Sequence, residues 1–341
     1  MKTGKQSFSY SPAPVIEASG TAGGPFEAAG SMREAFDILF DDLYMGMDSF
    51  EKAQQKLFET AASEALRHGD FSGSDMDLLF AGDLTNQMTS TTFAGRTLGI
   101  PYVGLFGACS TSMESLALAA LTVASGGADR VLCGTSSHNA AMERQFRYPT
   151  EYGAQKPPTA QWTASAAGAA VIAAPNGKQG PVVTKATIGR VIDRGIADPF
   201  NMGAAMAPAA VDTIDQHFQD FHTTADDYDL ILTGDLGRVG RMLALDLFAE
   251  KKIDMPEEKL QDAGLMIYSQ NQPVNAGASG CGCSAAVTYG HIIKGLESGN
   301  LSKVLIAATG ALLSPVSYQQ GETIPCIAHA VVIEQPKGGG A

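Results

Sequence analysis

Long apolar runs are missing from this chain. The most apolar stretch, ASAAGAAVIAA at residues 164–174, falls short of the roughly 18 residues a bilayer span needs and reads as a buried strand. The opening MKTGKQSFSYSPAP holds no apolar core segment of the kind a secretory signal carries. Charge is sparse as well. Only 17% of the residues are charged, and 23 Lys and Arg face 36 Asp and Glu, a formal net charge of −13. With no basic stripe anywhere, a nucleic-acid partner is not expected. An anionic ligand would have to be held by local cations or helix N-termini against the overall field. Cysteine is scarce and odd in number: Cys109, Cys133, Cys281, Cys283 and Cys326. That pattern is no disulfide framework and reads as reduced thiols of a cytosolic protein. The C-x-C at 281–283 has no second pair to complete a zinc site, so no metal site is expected.

What is present, in 341 residues, is a repeat. LLFAGDLTNQ (78–87) and LILTGDLGRV (230–239) share an apolar strand run that ends in Gly-Asp-Leu. A helical pattern follows each. In the first, MTSTTFAGRTLG, Thr89 is placed to cap the helix; the second, RVGRMLALDLFAEKK, ends in basic residues that suit the helix dipole. Downstream, ACSTSMESLALAALTVASGGADRVLCGTS (108–136) parallels CGCSAAVTYGHIIKGLESGNLSKVLIAATG (281–310). Each half therefore reads strand, helix, strand, helix, strand, which gives parallel pairing through right-handed crossovers. The turn formers PNGKQGP at 175–181 mark the boundary between halves. A further helix is expected over about residues 49–68, and residues 137–163 show no period, which marks a functional or interfacial loop.

Three groups of residues carry candidate chemistry. Cys109 follows the strand expected at residues 102–106 and opens a helix, where backbone N–H groups and the dipole lower a thiol pKa. It is placed as a nucleophile, or equally as a small buried residue. Asp83 and Asp235 end equivalent strands, where ligands bind in α/β sheets; Asp83 serves a ligand there or caps the helix that follows it. The aperiodic loop holds His138, Arg144, Arg147, Tyr148, Tyr152, Lys156 and Trp162, the one tryptophan. Guanidinium groups beside flat rings suit a planar, multiply anionic ligand, and the same loop equally suits a subunit interface. The remaining histidines, His68, His217, His222, His291 and His329, read as surface or core residues.

The duplicated halves, the Gly-Ala-Cys-Ser elbow at 107–110 and the later Cys-Ser-Ala-Ala turn at 283–286 resemble the thiolase superfamily, nearest the β-ketoacyl-acyl-carrier-protein synthases. The resemblance covers essentially the whole chain. It implies an α/β fold of five layers, α-β-α-β-α, with thiolase-like halves at 1–178 and 179–341. In those enzymes a cysteine takes an acyl group, and a histidine and an asparagine from the second half drive condensation. Carried over, the cysteine falls on Cys109, the histidine on Gly234, an asparagine after it on Gly237 and the catalytic asparagine on Gly282. Cys326 lacks the glycine run of the thiolase C-terminal cysteine. The resemblance thus implies a framework that has lost its acid–base side chains, with a pocket widened by their removal.

The stretch FGACSTSMESLALAA together with HNAAMERQFRYPTEYGAQKPPTAQWTASAAGAA is similar to a sporulation branch of that superfamily without known condensing activity. This implies a homodimeric subunit, peripheral on the cytoplasmic face of the spore inner membrane. It would dock membrane subunits of an apparatus that moves dipicolinic acid, pyridine-2,6-dicarboxylate, as its calcium chelate into the developing spore and out at germination. No cofactor is expected; dipicolinate or its calcium chelate is the expected ligand, met by Cys109, Asp83, His138, Arg144, Arg147 and Trp162. The competing expectations are an acyl-thioester condensing or acyltransfer enzyme using Cys109, and a scaffold with a vestigial pocket.

Overall fold

The computed structural model describes residues 1–146, 156–175 and 180–335. Its first half runs β1 (Val15–Gly23), α1 (Phe50–Gly69), β2 (Leu78–Asp83), α2 (Thr89–Leu98), β3 (Tyr102–Gly104), α3 (Thr111–Ala124), β4 (Arg130–Ser137), α4 (Asn139–Phe146) and β5 (Ala166–Ala173). The second runs β6 (Val182–Ile188), α5 (Met202–Phe221), β7 (Leu230–Thr233), α6 (Gly237–Glu250), β8 (Leu260–Asp262), α7 (Cys281–Val287), β9 (Lys303–Ala311) and β10 (Cys326–Glu334). Apart from α4, the two orders coincide.

The sheets repeat the same plan. In the first half β3, β2 and β4 pair in parallel, and β5 and β1 add antiparallel. In the second half β8, β7 and β9 pair in parallel, and β10 and β6 add antiparallel. Antiparallel pairing of Val182 with Val15 joins β6 to β1 and makes the two sheets continuous. The parallel core of each half is the strand–helix–strand repeat legible in the sequence; β5 was legible as a buried strand too, but the antiparallel pairing of β5 and β10 and the strands β1 and β6 beyond them were not.

Helices sort into layers by what they bury. In α1, Ser49 caps the start by accepting from Lys52 N at 3.3 Å, and Ala53, Leu57, Phe58, Ala61, Ala62 and Ala65 are buried at helical spacing against β1 and β5. The helix stops where Asp70 turns left-handed, a common C-terminal device. The expected helix over 49–68 is therefore present, one residue later. Helices α5 and α6 cover the outer face of the second sheet, while α3 and α7 lie between the sheets, α3 touching strands of both. The result is the five-layer α-β-α-β-α stack. Strand β5, the alanine-rich run at 166–173, is buried along its whole length. Small side chains there let α7 approach closely, and the long apolar stretch is thereby a core strand.

The loop expectation over 137–163 needs correction. Asn139–Phe146 is helical, and Trp162–Thr163 forms a short parallel strand pair with Ala278–Ser279. The helix is eight residues long, too short to show a period, and its buried residues, Asn139, Ala141 and Met142, sit at its start only.

Candidate functional site

Cys109 lies in a tight turn, Ala108–Ser110, that leads straight into α3. Ala108 takes the left-handed conformation, φ 51°, which costs a non-glycine residue on the order of 1 kcal/mol. The turn is held from both sides. Gly107 N donates to Thr111 Oγ1 at 3.1 Å, and Ser110 Oγ donates to Gly107 O at 2.6 Å. The thiol thereby lines a cavity that opens to solvent.

The cavity is mostly apolar. Leu84, Phe106, Met142, Phe146, Met202 and Leu313 supply its bulk, with Thr163, Ser279 and Gly280 as its polar rim. Leu84, Phe106, Phe146 and Leu313 continue into a second hollow bounded by Asn86, Gln87 and Ser314, so the cavity drains along α4 to the surface. Segments distant in sequence meet here: Leu84 after β2, the Cys109 turn, α4, Thr163, Met202 at the start of α5, the turn at 279–280 and the end of β9 with Leu313. Of these wall residues only Cys109 was picked out from sequence. The others are ordinary apolar and small residues whose one signal is their nearness to the Gly-rich turns.

The immediate neighbour of the thiol is a carboxylate. Asp235 is the middle residue of the Gly-Asp-Leu run after β7 and is fully buried. Its Oδ2 accepts from Gly280 N at 2.9 Å and its Oδ1 from Thr309 Oγ1 at 2.9 Å, and it faces Cys109. Burial pushes Asp235 up to about 7. Burial, and then the Asp235 charge, hold the Cys109 thiol well above the ordinary thiol range. Cys281, packed beside it, is pushed by burial up to about 12. The expectation that the helix start lowers the Cys109 pKa is therefore overturned: desolvation and an adjacent anion outweigh a dipole worth about 1 kcal/mol. The site holds a protonated thiol.

No imidazole hydrogen-bonds that sulfur among the described residues. His138 Nε2 is bound to Leu43 O at 2.8 Å and its ring stacks on Phe50. His217 bridges Thr187 and Tyr228, both at 2.8 Å, and His329 accepts from Gly189 N at 3.3 Å. His68 meets Ser19 O at 2.7 Å, while His291 and His222 are exposed.

The glycines assigned by resemblance leave no vacated space. A Cβ at Gly282 would stand 2.0 Å from Ala166 O and 2.8 Å from Ser137 N. At Gly237, which is left-handed with φ 63°, it would stand 2.6 Å from Ala276 O. At Gly234 it would meet Ala308 Cα at 3.1 Å and Ser284 Cβ at 3.2 Å. The expected widening of the pocket is wrong: at Gly282 and Gly237 main chain occupies the positions where side chains would begin, and at Gly234 a Cβ would already be in tight contact.

The other predicted site residues disperse. Asp83 is fully buried and spends its oxygens on Thr85, in the turn that leads to α2, and on Thr91 in its first turn: Thr85 N at 2.6 Å, Thr91 N at 2.7 Å and both hydroxyls. It is the cap that the sequence reading offered as the alternative, and Thr89, expected to cap, lies inside the helix. His138 sits behind the wall. Arg144 is exposed and 3.7 Å from Glu51. Trp162 packs on Phe26, ring centroids 4.9 Å apart, with Lys156 Nζ 4.7 Å over its ring; its neighbour Thr163 is the residue that reaches the cavity. Arg147, Tyr148 and Tyr152 lie outside the described residues. Among the described residues no cluster of His, Cys, Asp or Glu is arranged to hold a metal ion.

Comparison with known proteins agrees with this fold. The fold matches 3-oxoacyl-[acyl-carrier-protein] synthase III of Aquifex aeolicus, at 14% identity over 94% of this chain and 99% of that one, TM-score 0.57. It also matches human mitochondrial 3-ketoacyl-CoA thiolase, at 14% identity over 95% and 98%, TM-score 0.60. Stage V sporulation protein AD of Bacillus subtilis (strain 168) is 51% identical over 336 residues, 98% of each chain. The family model for stage V sporulation protein AD matches residues 4–334. The thiolase-like fold, the turn that presents Cys109 and this match along nearly the whole chain lead to one assignment: the protein belongs to the stage V sporulation protein AD family.

Proposed function

We propose that this protein is a non-catalytic, ligand-binding subunit of the spore's dipicolinate transport apparatus, and that the Cys109 cavity receives dipicolinate. The observation that carries the reading is the pairing at the cavity wall: a thiol held protonated beside Asp235, with no imidazole bonded to it among the described residues and main chain where an asparagine side chain would start. Condensation needs a thiolate and donors aimed at the developing oxyanion. A receptacle needs neither.

The walls suit a flat ring. Phe106, Phe146 and Met142 offer faces and a thioether edge. For the carboxylates there are the Thr163 and Ser279 hydroxyls and the start of α5 at Met202, where the first N–H groups of a long helix are free to meet an anion. Asp83 has no oxygen to spare for calcium, which favours the free acid over the chelate at this site. Peripheral attachment to the inner membrane through membrane subunits fits a chain in which no described helix is long and apolar enough to cross a bilayer. A homodimer is supported by β3, which ends the sheet with Val103 and the neighbouring Phe106 exposed.

Calorimetric titration with dipicolinate, with and without calcium, tests the ligand. No heat in either case from folded protein contradicts the proposal. An acyl adduct on Cys109 with turnover, after incubation with acyl-CoA, would restore the enzyme reading.

A further inference from the structure

A second pocket opens between the start of α6 and the loop that leads to the 279–280 turn. Its polar lining is Arg238, Tyr268, Ser269, Gln270, Gln272 and Asn275, with no carboxylate among its walls. Two of these groups are committed elsewhere. Tyr268 donates to the buried Glu27, and Gln272 accepts from Ser269 N and donates to Phe26 O, both at 2.8 Å. The guanidinium of Arg238 is exposed and has no hydrogen-bond or ion-pair partner among the described residues. One turn along α6, Arg241 is clamped by Glu257 and by Leu260 O at 2.6 Å; Arg67, Arg130 and Arg190 are likewise paired. An unpaired guanidinium walled by amides and a hydroxyl, without an acid, is an unusual environment in a chain of net charge −13.

We propose that this pocket binds a small oxyanion, a carboxylate or phosphate group, through Arg238 with the Gln270 and Asn275 amides and the Ser269 hydroxyl as supporting donors. A guanidinium fork meets either group in two parallel hydrogen bonds, and neutral donors satisfy the remaining lone pairs. Neutral walls leave that charge unopposed, so the pocket prefers an anion to a cation or an uncharged solute. The site is separate from the Cys109 cavity and does not depend on what that cavity holds. Gly277 lines the Arg238 pocket and Ser279 lines the cavity, so one short segment walls both.

The test is titration of the full chain with inorganic phosphate and with acetate at constant ionic strength, read by calorimetry. Wild type should bind at least one of them saturably at a single site. Arg238→Gln should weaken that binding tenfold or more, while Arg194→Gln, an exposed arginine outside the pocket, should leave it within twofold. Absence of saturable binding of both anions by wild type, or equal binding by R238Q, overturns the proposal. Dipicolinate separates the two sites. Heat that persists in R238Q but vanishes when the cavity is filled by Ala311→Phe leaves phosphate or acetate binding as the sole criterion for the Arg238 pocket, and that binding must then survive in A311F. Dipicolinate heat lost in R238Q and kept in A311F supports the anion pocket and removes the cavity from the ligand's path.

Discussion

At the scale of single residues, the account turns on how Asp235 and Cys109 share a desolvated corner. A buried carboxylate beside a thiol disfavours the thiolate twice, by excluding water and by adding like charge. Cys109 should accordingly react with iodoacetamide at pH 8 at least about tenfold more slowly than a free cysteine, since each pKa unit lowers the thiolate fraction by about that factor. In Asp235→Asn the charge is gone while the carbonyl still accepts from Gly280 N, so alkylation should accelerate. Mass spectrometry of the modified peptide separates Cys109 from the other four cysteines. Fast alkylation of wild type at pH 7, unchanged by the substitution, would mean that the thiol is ionised after all.

At the scale of elements, the two Gly-Asp-Leu turns show how one sequence signature serves two ends. Asp83 caps α2, whereas Asp235 reaches across to Gly280 and Thr309 and ties the second-half turn to the cavity wall. The glycines divide in the same way. Gly282→Ala drives a Cβ against the backbone of β5 and should destabilise by about 3 kcal/mol or more, or prevent folding. Gly234→Ala meets only atoms at 3.1–3.3 Å and should cost about 1 kcal/mol. Denaturant unfolding of the two variants checks the contrast; equal stabilities would show that α7 can move away from β5. The strand–helix repeat was legible because burial writes a period into apolar residues. The helix Asn139–Phe146 was not, because two turns are too short to write one. Cys109 was legible as a turn residue at a helix start, but its protonation was not, because Asp235 is 126 positions away in sequence and meets it only through the fold. Arg144, Trp162 and His138 were grouped by local composition, and composition does not record which face of α4 or of the Trp162–Thr163 strand looks into the cavity.

At the scale of the whole molecule, two α/β halves joined through β1 and β6 place their turns on either side of one cavity, and they leave β3 as an open sheet edge. An edge carrying exposed apolar side chains favours pairing with another chain. If a second copy is that partner, Val103→Lys should turn a dimer into a monomer in light scattering without loss of secondary structure; a wild-type monomer would exclude this interface. The central claim is that the Cys109 cavity is a receptacle for dipicolinate. Its most direct test is calorimetric titration of wild type and Ala311→Phe at pH 6 and pH 8. The account predicts saturable heat from wild type, one ligand per chain, tighter at pH 6 because Asp235, raised by burial to about 7 and buried behind Cys109, then carries less charge toward the dianion, and no heat from the filled cavity. Equal dipicolinate binding by both proteins, or none by a folded wild type, would contradict it.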